Sequence, residues 1–92
     1  MNKYIVIEDH SPDGGLFCLG VFEDIDKAFG VALRNIWDFK ESYKEEDGDI
    51  FTYTSPYMME GDGGYAIKVD YKASSWENEE TKYYYILFGD EL

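Results

Sequence analysis

Ninety-two residues set 20 Asp and Glu against 8 Lys and Arg, a formal net charge of −12. That length predicts one small domain, residues 1–92, able to bury roughly 60–65% of its unfolded surface. Hydrophobic residues at 45% and aromatic residues at 18% are proportions of a folded chain, which excludes a disordered acidic tail. The charge repels phosphate, so direct binding to DNA, RNA or anionic lipid is excluded as an expectation, and a basic protein surface is the partner such a field attracts.

Cys18 is the single cysteine, so no internal disulfide framework is expected. The chain turns acidic at Glu8, before a signal-peptide apolar region develops. No apolar run approaches the ~18–20 residues of a membrane span. A cytoplasmic location is therefore expected.

In chain order, Tyr4-Ile5-Val6-Ile7 is a β-branched run suited to a strand buried on both faces. His10-Ser11-Pro12-Asp13-Gly14-Gly15 is a hairpin turn, with proline presetting φ and the glycines supplying positive φ. The return strand, Leu16 to Phe22, is apolar at almost every position, which predicts a central place in the sheet. Gly20 marks a bulge or a close helix contact.

Asp24 is a candidate N-cap, and Asp26 follows in the first turn, where the helix dipole favours negative charge. Ile25, Ala28, Phe29, Ala32, Leu33, Ile36, Trp37 and Tyr43 recur at helical spacing and predict an amphipathic helix over residues 25–46. Lys27, Arg34, Asp38, Glu41 and Glu45 occupy the opposite side, with Arg34 and Asp38 spaced to pair. On this phase Leu33→Ala would cost about 2–5 kcal/mol if Leu33 is fully buried. Gly30 inside the helix calls for a strand backbone packed against it, and Gly48 is placed to close the helix.

Residues 50–54 alternate apolar and polar and predict a strand, stopped at Ser55-Pro56. Tyr57-Met58-Met59 is an apolar island before the turn Glu60-Gly61-Asp62-Gly63-Gly64. Beyond it Tyr65, Ile67, Val69 and Tyr71 alternate with Ala66, Lys68, Asp70 and Lys72, a half-exposed antiparallel strand. Residues 73–82 read as a loop, and residues 83–88 as the last strand. The expected fold is α+β, of order ββαβββ: a mostly antiparallel five-stranded sheet with one helix packed on one face. The uncovered face must meet water or a partner, and nine tyrosines suit such a surface.

Chemistry-bearing residues are sparse. His10 is the single histidine, expected exposed in its turn. Cys18, flanked by Phe17 and Leu19, is expected in the core, without the oriented partners that nucleophilic catalysis needs. Asp47-Gly48-Asp49 and Glu60-Gly61-Asp62-Gly63 lack the spacing of a calcium loop, which leaves only adventitious Ca²⁺ binding. Zinc lacks ligands. No enzyme activity, cofactor or metal is expected.

The acidic clusters remain. Glu45, Glu46, Asp47 and Asp49 load carboxylates onto the negative end of the helix, where a fold-only account gives them no role. Glu77, Glu79 and Glu80 form a second run beside Trp76. These seven carboxylates, with Trp76 and Tyr57 as aromatic anchors, are the candidate partner-binding residues.

A short, single-domain, acidic, tyrosine-rich chain of this kind resembles phage-borne inhibitors of bacterial defence of the anti-CRISPR type, several of which are DNA mimics. The resemblance covers size and composition and rests on no diagnostic motif. Gly20-Val21-Phe22-Glu23-Asp24-Ile25-Asp26-Lys27-Ala28 resembles the strand-to-helix step of many small bacterial αβ proteins and says nothing of activity. The expectation is a non-enzymatic inhibitor occupying the basic, nucleic-acid-binding surface of a target such as a nuclease. The alternatives are an immunity or antitoxin protein neutralising a basic toxin, and a housekeeping domain that homodimerises through its exposed sheet face.

Overall fold

The computed structural model describes residues 3–10, 14–42, 50–72 and 78–89. Its elements are β1 (Tyr4–Asp9), β2 (Leu16–Phe22), α1 (Ile25–Ser42), β3 (Ile50–Tyr53), β4 (Tyr57–Met58), β5 (Gly64–Lys72) and β6 (Glu80–Phe88). The fold is α+β, as the alternation and helical spacing imply, with one sheet in the order β2-β1-β6-β5-β3. Every pairing is antiparallel. A sixth strand, β4, pairs with β5 where the sequence shows only the apolar island.

Local chemistry sets the ends of the elements. Asp24 Oδ1 accepts the Asp26 backbone N–H at 2.8 Å, satisfying one of the amides that the first helical turn leaves without a partner. In the first hairpin His10 N–H donates to Gly15 O at 2.8 Å, and Gly14 N–H to His10 O at 3.0 Å. The register between β1 and β2 shifts after Val6, which faces Gly20, while Ile7 faces Cys18. Leu19 is the extra residue of a bulge. Gly20 sits there at φ 155°, and a Cβ on it would lie 2.7 Å from the Phe22 ring.

Ala28, Ala32 and Ile36 of α1 are seated on Val6, Ile67, Val69, Tyr84 and Ile86. The two alanines let the helix approach closely, and aromatic rings fill the flanks. At one end Phe29 meets Tyr65 edge-on at 5.3 Å, and Phe88 meets both Tyr65 and Tyr4. At the other, Phe39 meets Tyr71 edge-on at 4.9 Å and lies 5.7 Å from Phe51. Edge-to-face pairs of this kind add about 0.5–1.5 kcal/mol each beyond the area they bury. Tyr4, Tyr65, Tyr71 and Tyr84 thus serve the helix-covered side, not the open one.

Several expectations need correction. β2 is an edge strand, not a central one; its apolar run serves a strand whose side chains stay largely exposed. Cys18 is exposed rather than in the core. Only Val6 of β1 is fully buried, since just one face of that strand meets the helix. The helix phase is also rotated: Leu33 is 41% and Trp37 54% exposed. Trp37 lies five residues beyond Ala32, about 140° around the helix. Among the described residues, nothing beyond the helix's own neighbouring backbone lies within 4 Å of a Cβ built on Gly30, so none of the described strands packs there. Arg34 and Asp38 are exposed and make no ion pair among the described residues. The helix is described as far as Ser42; Tyr43 and Gly48 lie outside the described residues.

Candidate functional site

Of the predicted partner-binding residues, Glu45, Glu46, Asp47, Asp49, Trp76 and Glu77 lie outside the described residues. Glu79 and Glu80 are exposed at the start of β6, where Glu80 faces Tyr71. Tyr57 is half-exposed on β4 and faces Ala66. Tyr71 and Ala66 are five residues apart on β5, a span of about 17 Å at strand rise. Tyr57 and the Glu79–Glu80 pair therefore do not share one patch.

The open face of the sheet carries a different constellation. Strand alternation places Ile5, Ile7, Tyr83, Tyr85 and Leu87 there, opposite the buried Val6, Tyr84 and Ile86. Tyr83 and Tyr85 stack with ring centroids 5.9 Å apart. Tyr57 and Tyr85 flank Ala66 in register, and Ala66 is buried although it points away from the helix. Burial pushes the Tyr85 hydroxyl above its ordinary pKa, helped by the charge of Asp9, which also accepts its hydrogen bond. Polar pairs bound the face: Thr81 Oγ1–H donates to Asp70 Oδ1 at 2.5 Å. The result is a tyrosine-bearing surface of mixed character, since Lys68 faces Tyr83 on it and its ammonium lies 3.9 Å from Asp70.

Beneath the helix lies a second cluster, which sequence reasoning missed. Lys82, read as a loop residue, is 2% exposed on β6. Its Nζ lies 3.0 Å from Glu8 Oε2 and 3.4 Å from the centre of the Phe39 ring. Tyr84 O–H donates to the same carboxylate oxygen at 2.5 Å. The Asn35 side-chain amide lies 3.2 Å from that hydroxyl. His10 Nε2 is 3.0 Å from Glu8 Oε1, and its ring meets Phe17 edge-on. His10 is therefore half-buried and anchored, not a free turn histidine. The signal was available as period-two alternation: Tyr4, Val6 and Glu8 on one strand, Lys82, Tyr84 and Ile86 on the other, with opposite charges inward at the same end.

Burial works to raise the Glu8 pKa. Hydrogen bonds from Tyr84, Lys82 and His10, with the charge of Lys82, outweigh it and hold the carboxyl below its ordinary value. Burial lowers the Lys82 pKa, and Glu8 offsets part of that. Burial together with the Glu8 charge and hydrogen bond raises Tyr84 far above its ordinary value. Each polar group here is committed to another member of the cluster, which suits an anchor between helix and sheet rather than a site open to a substrate. Among the described residues no group of three or more His, Cys, Asp or Glu could hold a metal ion. Among them too, no helix is long and apolar enough to cross a membrane.

Comparison with protein-family models, with curated proteins and with solved structures finds no match for this chain.

Proposed function

We propose that this chain is a non-enzymatic, acidic protein-binding module, an inhibitor that occupies a basic nucleic-acid-binding surface of a target protein as a DNA mimic. The observation that carries the reading is how its carboxylates are deployed. Glu8, drawn inward, is neutralised by Lys82. Glu23, Asp26, Asp38, Glu60, Glu79 and Glu80 are exposed and make no ion pair among the described residues. A net charge of −12 exceeds the magnitude of roughly 2–8 that keeps a small domain soluble. The excess opposes the compact state by self-repulsion, and a cationic groove relieves it. The strands that follow the two acidic runs begin at one end of the sheet: Ile50 faces Lys72, and Glu80 faces Tyr71.

A target of this kind is a nuclease or another protein with a lysine- and arginine-lined channel. The test is capture from host lysate at low salt, elution with salt, and competition of the captured target against duplex DNA. The reading expects chain and DNA to exclude one another. A ternary complex with DNA still bound at full affinity would overturn it.

A further inference from the structure

We propose that the free edge of β2 is a self-association surface, pairing antiparallel with β2 of a second copy so that two sheets join into one. This goes beyond the target-binding reading and uses a different part of the molecule.

β2 ends the sheet, with β1 as its one neighbour among the described residues. The direction of its backbone groups follows from the hairpin. His10 N–H donates to Gly15 O, so that carbonyl points toward β1. The Leu16 N–H, across the same trans peptide, points away. Alternation along an unshifted register from Leu16 to Cys18 then directs the N–H and C=O of Leu16 and Cys18 outward. An outward row of unpaired donors and acceptors is a template for another strand.

Leu16 to Phe22 contains no charge and no proline, two of the usual devices against edge pairing; the bulge at Leu19 is a third, and it leaves Leu16 to Cys18 as the regular stretch of the edge. Its side chains are apolar and outlying: Leu16 is 67%, Phe17 51% and Val21 53% exposed. The opposite side of the sheet is treated differently. There β3 has four residues, and Ser55-Pro56 follows before β4 takes its two-residue place on β5.

Charge selects the occupant. A basic partner is drawn to the carboxylates, none of which lies on β2. A second copy carries the same net charge of −12 and can approach closely only through an uncharged segment. β2 supplies seven uncharged residues, and antiparallel pairing of one strand with its own copy closes under two-fold symmetry. Because like charges must be brought together, the dimer is favoured by salt, opposite to binding a basic target.

The test is sedimentation from about 10 µM to about 1 mM at low and high salt, with amide hydrogen exchange on the wild-type chain. The expected mass rises from 10.7 kDa toward twice that value, more readily at high salt, and the Leu16 and Cys18 amides gain protection as it does. Cys18→Pro deletes an outward N–H that β1 does not use and is expected to weaken association at least about tenfold, while Cys18→Ser leaves it unchanged. A chain that stays at 10.7 kDa throughout overturns the proposal. So does a dimer in which the Leu16 and Cys18 amides exchange as freely as in the monomer, since it would use the open face or the helix. The exchange measurement decides the matter even if Cys18→Pro fails to fold.

Discussion

Glu8 and Lys82, 74 positions apart in the chain, meet 3.0 Å apart under the helix and join the second strand of the sheet order to the third. Two charges are taken out of water there, and what makes this tolerable is completeness: Tyr84 and His10 also bond the carboxylate, and the Phe39 ring faces the ammonium. Removing one partner is therefore worse than removing both. Glu8→Ala is expected to cost roughly 3–5 kcal/mol, because it leaves Lys82 buried and uncompensated. Glu8→Gln combined with Lys82→Met is expected to recover most of that loss. Urea unfolding of Glu8→Gln, Lys82→Met and the double variant measures the coupling.

The same pair sets an acid limit on stability. The Glu8 pKa is lower in the folded chain than its ordinary value of 4.5. Its contribution is fully present above that value and is lost as pH falls through the lower, folded value. Glu8→Gln should flatten the acid limb in a series of thermal melts. An unchanged limb would mean that other carboxylates carry it.

The helix face can be checked by two substitutions three residues apart. Ile36→Ala is expected to cost about 2–5 kcal/mol and Leu33→Ala less than about 1 kcal/mol, whereas apolar spacing alone puts both in the buried stripe. Leu33 and Trp37 widen the apolar stripe toward solvent, while the contact itself is made by the small Ala28 and Ala32 and by polar Asn35. The spacing pattern does contain Ala28, Ala32 and Ile36, the residues that are buried; it goes astray in giving Leu33 and Trp37 equal place and in passing over polar Asn35.

Two glycines should respond in opposite directions. Gly30→Ala, in open space on the helix, is expected to stabilise by about 0.5–1 kcal/mol. Gly64 has φ 151°, and a Cβ there would lie 2.1 Å from the Ile86 carbonyl oxygen. Gly64→Ala must displace the β5–β6 ladder and is expected to lower the melting temperature sharply.

These cases separate what local sequence can tell from what it cannot. The Asp24 cap, the Gly20 bulge and the alternation of β5 depend on near neighbours, and each is readable. The place of β2 is not, because an apolar run looks the same at the centre of a sheet and at an edge. Lys82 follows an acidic stretch and passes for loop until Glu8, 74 positions away, gives its charge a reason to be inside. Of the candidate site, Tyr57 and Glu80 fall on opposite ends of β5. The tyrosine face of Tyr83 and Tyr85 follows from strand pairing rather than from composition.

The most direct test of the DNA-mimic reading is titration of the captured target, across a salt series, with wild type and with a variant carrying Ala at Glu45, Glu46, Asp47 and Asp49. The Debye length falls from ~30 Å at 0.01 M to ~8 Å at physiological ionic strength, so carboxylates standing in for phosphates should bind fast at low salt and weaken steeply as salt rises. The account predicts a lower on-rate and a shallower salt slope for the four-site variant. Equal affinities and equal slopes for the two proteins would contradict it.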